Sequence, residues 1–105
     1  MPGKRGAIMI RGAVRTTEEE RKNARQFLRH RRLDAGITQL DLARALGLGY
    51  SQMVSQIEAG KARVPPARYV EYATALKMDP KDFVRELLRY YDHDAWRILF
   101  DPSAG

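Results

Sequence analysis

Gln52, Ser55 and Gln56 are the residues of this chain with the clearest chemical use. Their amides and hydroxyl are short, uncharged donors and acceptors, the groups that pair with base edges in a major groove. Val54 and Ile57 alternate with them at helical spacing. One short helix would therefore bury Val54 and Ile57 and turn the polar trio outward. A search for reaction chemistry returns little. His30 and His93 stand far apart in sequence, each beside charged residues and without a ligand partner at metal-binding spacing. Ser51 and Ser55 lack a nearby histidine base, which nucleophilic catalysis would need. Asp92 and Asp94 read as a helix cap and a solvated charge rather than an acid–base pair. No glycine pattern matches a phosphate loop. The expectation is a binding protein and not an enzyme, with no metal and no cofactor.

The elements that must position the trio lie in residues 37–60, ITQLDLARALGLGYSQMVSQIEAG. Leu42, Ala43 and Leu46 repeat at helical spacing behind a polar start at Thr38 and Gln39. Gly47 stops that helix, since glycine enters the left-handed region without steric cost. Gly49 loosens the connection, and Gly60 closes the second helix. By chemistry Ser51 is the best N-cap of the second helix.

The order TQxxLAxxLG, a turn, VSQIEAGK and then a proline-bearing loop resembles the Cro/repressor-type (XRE family, lambda-repressor-like) helix-turn-helix regulators of phage and bacteria. The resemblance runs over residues 25–88. It departs in one place: the helix-closing Glu58 stands one residue farther from Gly47 than in the usual pattern. Counting back from Glu58 favours Tyr50 rather than Ser51 as the first position of the recognition helix. The resemblance implies that Arg32 pairs with Glu58 as scaffold, locking the first helix to the end of the recognition helix. It also implies that the chain around Gln39 meets a DNA phosphate.

Length and charge agree with such a reading. A chain of 105 residues forms one domain with one modest core. No apolar run approaches the ~20 residues of a membrane span, and residues 7–10 are too short a stretch for a signal peptide. With no cysteine there is no disulfide framework or thiolate zinc site. A cytoplasmic protein is expected. The net charge of +6 is uneven: residues 1–33 hold ten Lys/Arg against three Glu, and residues 34–105 hold nine against ten Asp/Glu. The basic excess therefore sits where it could lie along a phosphate backbone.

Three segments follow. Residues 1–16 are expected to be a flexible basic arm. Residues 17–91 form the helix-turn-helix domain, which opens on a capping box of Thr17 and Glu20. Its long first helix, from about residue 18 to 35, would turn Phe27 and Leu28 inward, together with Ala24 and Leu33. After the basic loop 61–65, Pro66 suits the first turn of a fourth helix, with Tyr69, Tyr72 or Ala73, and Leu76 as its core face. Asp79 caps a fifth helix with Pro80 at its first position; Phe83, Val84, Leu87, Leu88 and Tyr91 give it a wide apolar face. Residues 92–105 form a C-terminal extension. Asp92 or Asp94 would cap a short helix there, and Pro102 would end regular structure. Tyr91, Trp96, Leu99 and Phe100 are either a lid on the core or a dimer contact, and the dimer contact is the favoured reading.

The expected molecule is all-α, with five to six helices. It binds a palindromic double-stranded DNA operator as a homodimer and acts as a transcriptional repressor. Gln52, Ser55 and Gln56 meet base edges with Tyr50 and Ser51 beside them, Gln39 meets phosphate, and Lys61 and Arg63 clamp the backbone. One rival reading is an antitoxin whose C-terminal aromatics neutralise a toxin partner while the helix-turn-helix autoregulates its operon; a second is a bridging factor that keeps the fold but touches proteins rather than operators.

Overall fold

The computed structural model describes residues 22–104. The expected arm, the Thr17–Glu20 capping box and the start of the first helix lie outside them. Among the described residues the chain is all-helical, with no strand. The helices are α1 (residues 22–34), α2 (Gln39–Ala45), α3 (Gln52–Glu58), α4 (Tyr69–Ala75), α5 (Pro80–Tyr91) and α6 (His93–Phe100). Two 3-10 turns, Pro66–Arg68 and Pro102–Ala104, complete them. Pro66 thus opens a tight turn that feeds α4 instead of lying in α4 itself. Pro102 begins a turn where irregular chain was expected.

The first five helices share one core. Leu28 from α1, Leu42 from α2, Val54 and Ile57 from α3, Tyr72 from α4, and Phe83 and Leu87 from α5 are all fully buried. Tyr72 and Phe83 stack at its centre with ring centroids 5.7 Å apart, and Phe27 reaches Phe83 from α1 at 6.2 Å. Leu33 does not join them; it is 52% exposed. The inner stripe of α1 runs through Ala24, Leu28 and Arg32 at four-residue steps. Leu33 lies about 140° around the helix from Leu28, facing water. The buried place on that last turn belongs to Arg32.

One stop signal ends four of the helices. After α1, α2 and α3, Gly36, Gly47 and Gly60 take positive φ. Each end carries the paired hydrogen bonds of a Schellman turn, such as Leu48 N–H to the Ala43 carbonyl and Gly47 N–H to the Arg44 carbonyl after α2. After α4 the same two bonds form around Lys77, a residue with a Cβ held at φ 59°. Starts are capped by side chains. Thr38 and Asp41 form a reciprocal box at α2. Asp79 accepts from Lys81 and Asp82 N–H at α5, and Asp92, not Asp94, caps α6 by accepting from Ala95 N–H. Ser51 occupies the N-cap position of α3, but its hydroxyl makes no capping bond.

Candidate nucleic-acid interface

Burial of Val54 and Ile57 fixes the rotation of α3 about its own axis. That rotation leaves Gln52 and Ser55 exposed and Gln56 half-buried along one edge. Tyr50, in the turn just before the helix, is 65% exposed. Met53 lies against the core, so the polar residues form a continuous outward strip. The turn between α2 and α3 is short because Gly47 reverses the chain at once and Leu48, tied to Ala43, returns towards the core.

The far end of α3 is held from three directions. Arg32 meets Glu58 in a two-pronged pair, Nε to Oε2 at 2.7 Å and Nη2 to Oε1 at 3.0 Å. Its remaining Nη1 donates to the Ile37 carbonyl at 3.0 Å, fastening the α1–α2 link to the same cation. Gln39 donates from Nε2 to Glu58 Oε1 at 3.1 Å. The Glu58 hydrogen bond holds the Arg32 guanidinium above its ordinary pKa, against the pull of burial, so the guanidinium keeps its charge. Arg25 completes the clamp, donating from Nη1 to the Ala59 carbonyl at 3.3 Å. A planar cation with five donors can grip a carboxylate through two parallel bonds and still reach a second element, a fork geometry that a lysine ammonium lacks. A rigid scaffold thus presents a short helix whose free face is uncharged and polar.

The match with known proteins follows that geometry. A family model described as a helix-turn-helix domain covers residues 24–95. The chain belongs to the helix-turn-helix domain family. Comparison with curated proteins and with solved structures found no match. In this helix-turn-helix domain α2 and α3 are the paired helices, and α3 is the one that enters a major groove in such folds.

The residues singled out from the sequence fall in three groups. Gln52, Ser55 and Gln56 share the outer edge of α3, with Ser51 at its N-cap and Tyr50 in the turn just before it. Gln39 sits at the first position of α2 with its amide turned inward to Glu58. Lys61 is exposed on the loop after α3. Arg63 is exposed too, but its Nη2 donates to the Tyr91 carbonyl at 2.7 Å and its guanidinium lies 4.8 Å from the Tyr91 ring centre. The C-terminal aromatics divide. Tyr91 packs on the core and its hydroxyl accepts from Val64 N–H. Trp96 is half-buried, stacked on His93, with the Arg89 guanidinium 5.5 Å above its ring. Only Leu99 and Phe100 of the four open to solvent, beside Ile98 at 75% exposure.

Two structural cations escaped the sequence reading, Arg25 and Arg68. Arg68 Nη1 donates to the Leu46 carbonyl at 2.7 Å, at the end of α2. Both satisfy carbonyls that a helix end leaves free. Their acceptors are backbone atoms, which every residue carries, so no residue type marked the partner.

Proposed function

We propose that this protein is a sequence-specific double-stranded DNA-binding regulator that represses transcription by occupying a palindromic operator as a homodimer. It acts by occupancy and carries out no bond chemistry. The observation that supports this best is the outward strip of Gln52, Ser55 and Gln56 on a helix braced at its C-terminal end by Arg32 and Glu58. Two amides and a hydroxyl without a fixed charge discriminate bases by donor and acceptor pattern, and bracing keeps that pattern in register. Tyr50 and Ser51 lie at the entry to the groove, while Lys61 and Arg63 face the phosphate backbone beyond it.

Dimerisation rests on α6. This helix packs against α5, contributes no fully buried residue of its own, and leaves Ile98, Leu99 and Phe100 exposed in succession. Exposed apolar residues of that size in sequence mark an interface. Two copies related by a two-fold axis would place two α3 helices on successive major-groove faces.

Selection of bound duplexes from a random pool tests the proposal. The expected product is an inverted repeat whose half-sites are centred about 10 base pairs, or a multiple of one helical turn, apart. A pool that stays random after repeated selection would overturn it.

A further inference from the structure

Beside the clamp that holds the end of α3, the loop after it, Ala24 and Arg25 of α1 and Tyr91 of α5 border an open recess of about 670 Å³. Three cations line it, Arg25, Lys61 and Arg63, and none of its lining residues is acidic. Gly60 and Ala62 are among its lining residues, so small side chains leave the space open, and Tyr91 lines it too. A Cβ at Gly60 would lie 2.7 Å from Arg25 Cδ, so glycine there leaves room for the Arg25 side chain where it stands. The carboxylate nearest in the chain, Glu58, is 4% exposed and already engaged by Arg32 and Gln39.

Two of the cations are held in advance. Arg25 is anchored on the Ala59 carbonyl and Arg63 on the Tyr91 carbonyl. A guanidinium carries five N–H donors, so one bond to a carbonyl restrains its position and leaves most of the fork unused; Arg63 is held further by its place over the Tyr91 ring. Restraining the cations beforehand removes entropy that a ligand would otherwise have to overcome. Lys61 adds a mobile point charge at the rim. Planar forks plus an ammonium suit a tetrahedral oxyanion bearing two charges, which accepts several hydrogen bonds at once.

We infer that the recess formed by Arg25, Lys61 and Arg63 is a binding site for a phosphate group, delivered by the DNA backbone or by a free phosphorylated small molecule. Arg25 is the residue that turns two loop cations into a three-sided site. The site deepens the operator reading if the phosphate belongs to DNA, and stands without it if the phosphate is free.

The test is a titration of the ¹⁵N-labelled full chain with inorganic phosphate, at constant pH and ionic strength, without DNA. Saturable shifts are expected in the amides of residues 60–63 and in the Arg25 and Arg63 side-chain signals. Arg25→Gln should weaken the apparent affinity about tenfold, the scale of one charge-assisted hydrogen bond. Because Arg25 also braces α3, Ala62→Glu provides a second variant. It keeps both anchors, places a carboxylate at an exposed position, and should abolish the response while helicity is unchanged. Shifts that fail to saturate, that spread equally to Arg85 and Arg89, or that survive Ala62→Glu would overturn the site. Adding a short duplex to the phosphate-loaded protein then identifies the source. Displacement of phosphate by DNA assigns the site to the backbone, and simultaneous occupancy assigns it to a free phosphorylated molecule. Since the phosphate arm contains no DNA, failure of the operator proposal leaves its outcome readable.

Discussion

Tyr72 puts a phenol at the centre of the core, and its hydroxyl has no hydrogen-bond partner among the described residues. Burial first, and then the neighbouring Glu58 charge, push its pKa well above the ordinary value near 10. The folded state therefore keeps the proton where the unfolded chain would lose it. Stability is intact below pH ~10 and falls as pH rises above that value, because the folded state then binds the extra proton. Tyr72→Phe should be neutral or up to about 1 kcal/mol stabilising at neutral pH, and its stability should decline less in the alkaline range. Urea denaturation of parent and variant at a neutral and an alkaline pH would check both. A clear loss at neutral pH would mean that the hydroxyl is partnered. At this scale legibility was uneven. Val54 and Ile57 announced themselves by spacing, and Arg32 with Glu58 came through the family resemblance. Arg25, Arg63 and Arg68 gave no sign of their carbonyl partners, because an acceptor on the backbone leaves no mark in the sequence.

Among the elements, the left-handed stop shows what glycine contributes. Gly47 sits at φ +78° with nothing within 4 Å of where a Cβ would stand. Gly47→Ala should therefore cost about 1 kcal/mol through backbone conformation alone. Lys77 occupies the equivalent position after α4 with a side chain in place and is exposed. Lys77→Gly should raise stability by a few tenths of a kcal/mol up to about 1, the relief of that strain less the added freedom of the unfolded chain. Thermal melts of the two variants should move in opposite directions. A drop for Lys77→Gly would mean that its side chain makes a contact worth more than the strain. Helix existence was readable throughout from periodicity and from Asp79, Pro80 and the glycines. The stop at Lys77 was not, since lysine carries no turn preference and only the bonds from Met78 and Lys77 N–H reveal it.

At the scale of the molecule, the basic excess and the C-terminal helix need separate accounts. Part of the basic excess also serves the fold: Arg25, Arg32, Arg63 and Arg68 each donate to a backbone carbonyl near a helix end, which leaves other N–H donors of Arg25 and Arg63 free for a ligand. The wide apolar face of α5 was legible, but its partner was not. Trp96 and Phe100 return onto α5, with Arg89 and Arg85 guanidiniums over their rings, and Tyr91 turns into the core. The apolar surface left on this helix for the proposed dimer is Ile98 and Leu99 with the exposed part of Phe100. Because Ile98 and Leu99 are exposed within the subunit, the double variant Ile98→Lys with Leu99→Lys should fold with unchanged helicity. It should sediment as a monomer and lose most operator affinity, whereas a persisting dimer would place the interface elsewhere. From Asp79 onward there are six acidic residues against four basic ones, a balance that disfavours contact with phosphate and agrees with the proposed dimer contact at this end.

The central claim is that the outward strip of α3 reads bases. It is tested most directly by measuring Gln52→Ala and Gln56→Ala against the selected operator and its single-base variants. Each substitution should weaken binding to the best site by about 1–3 kcal/mol and relax the preference at one base pair, leaving other positions unchanged. Equal weakening on every duplex, with the sequence preference of the parent retained in both variants, would contradict the claim.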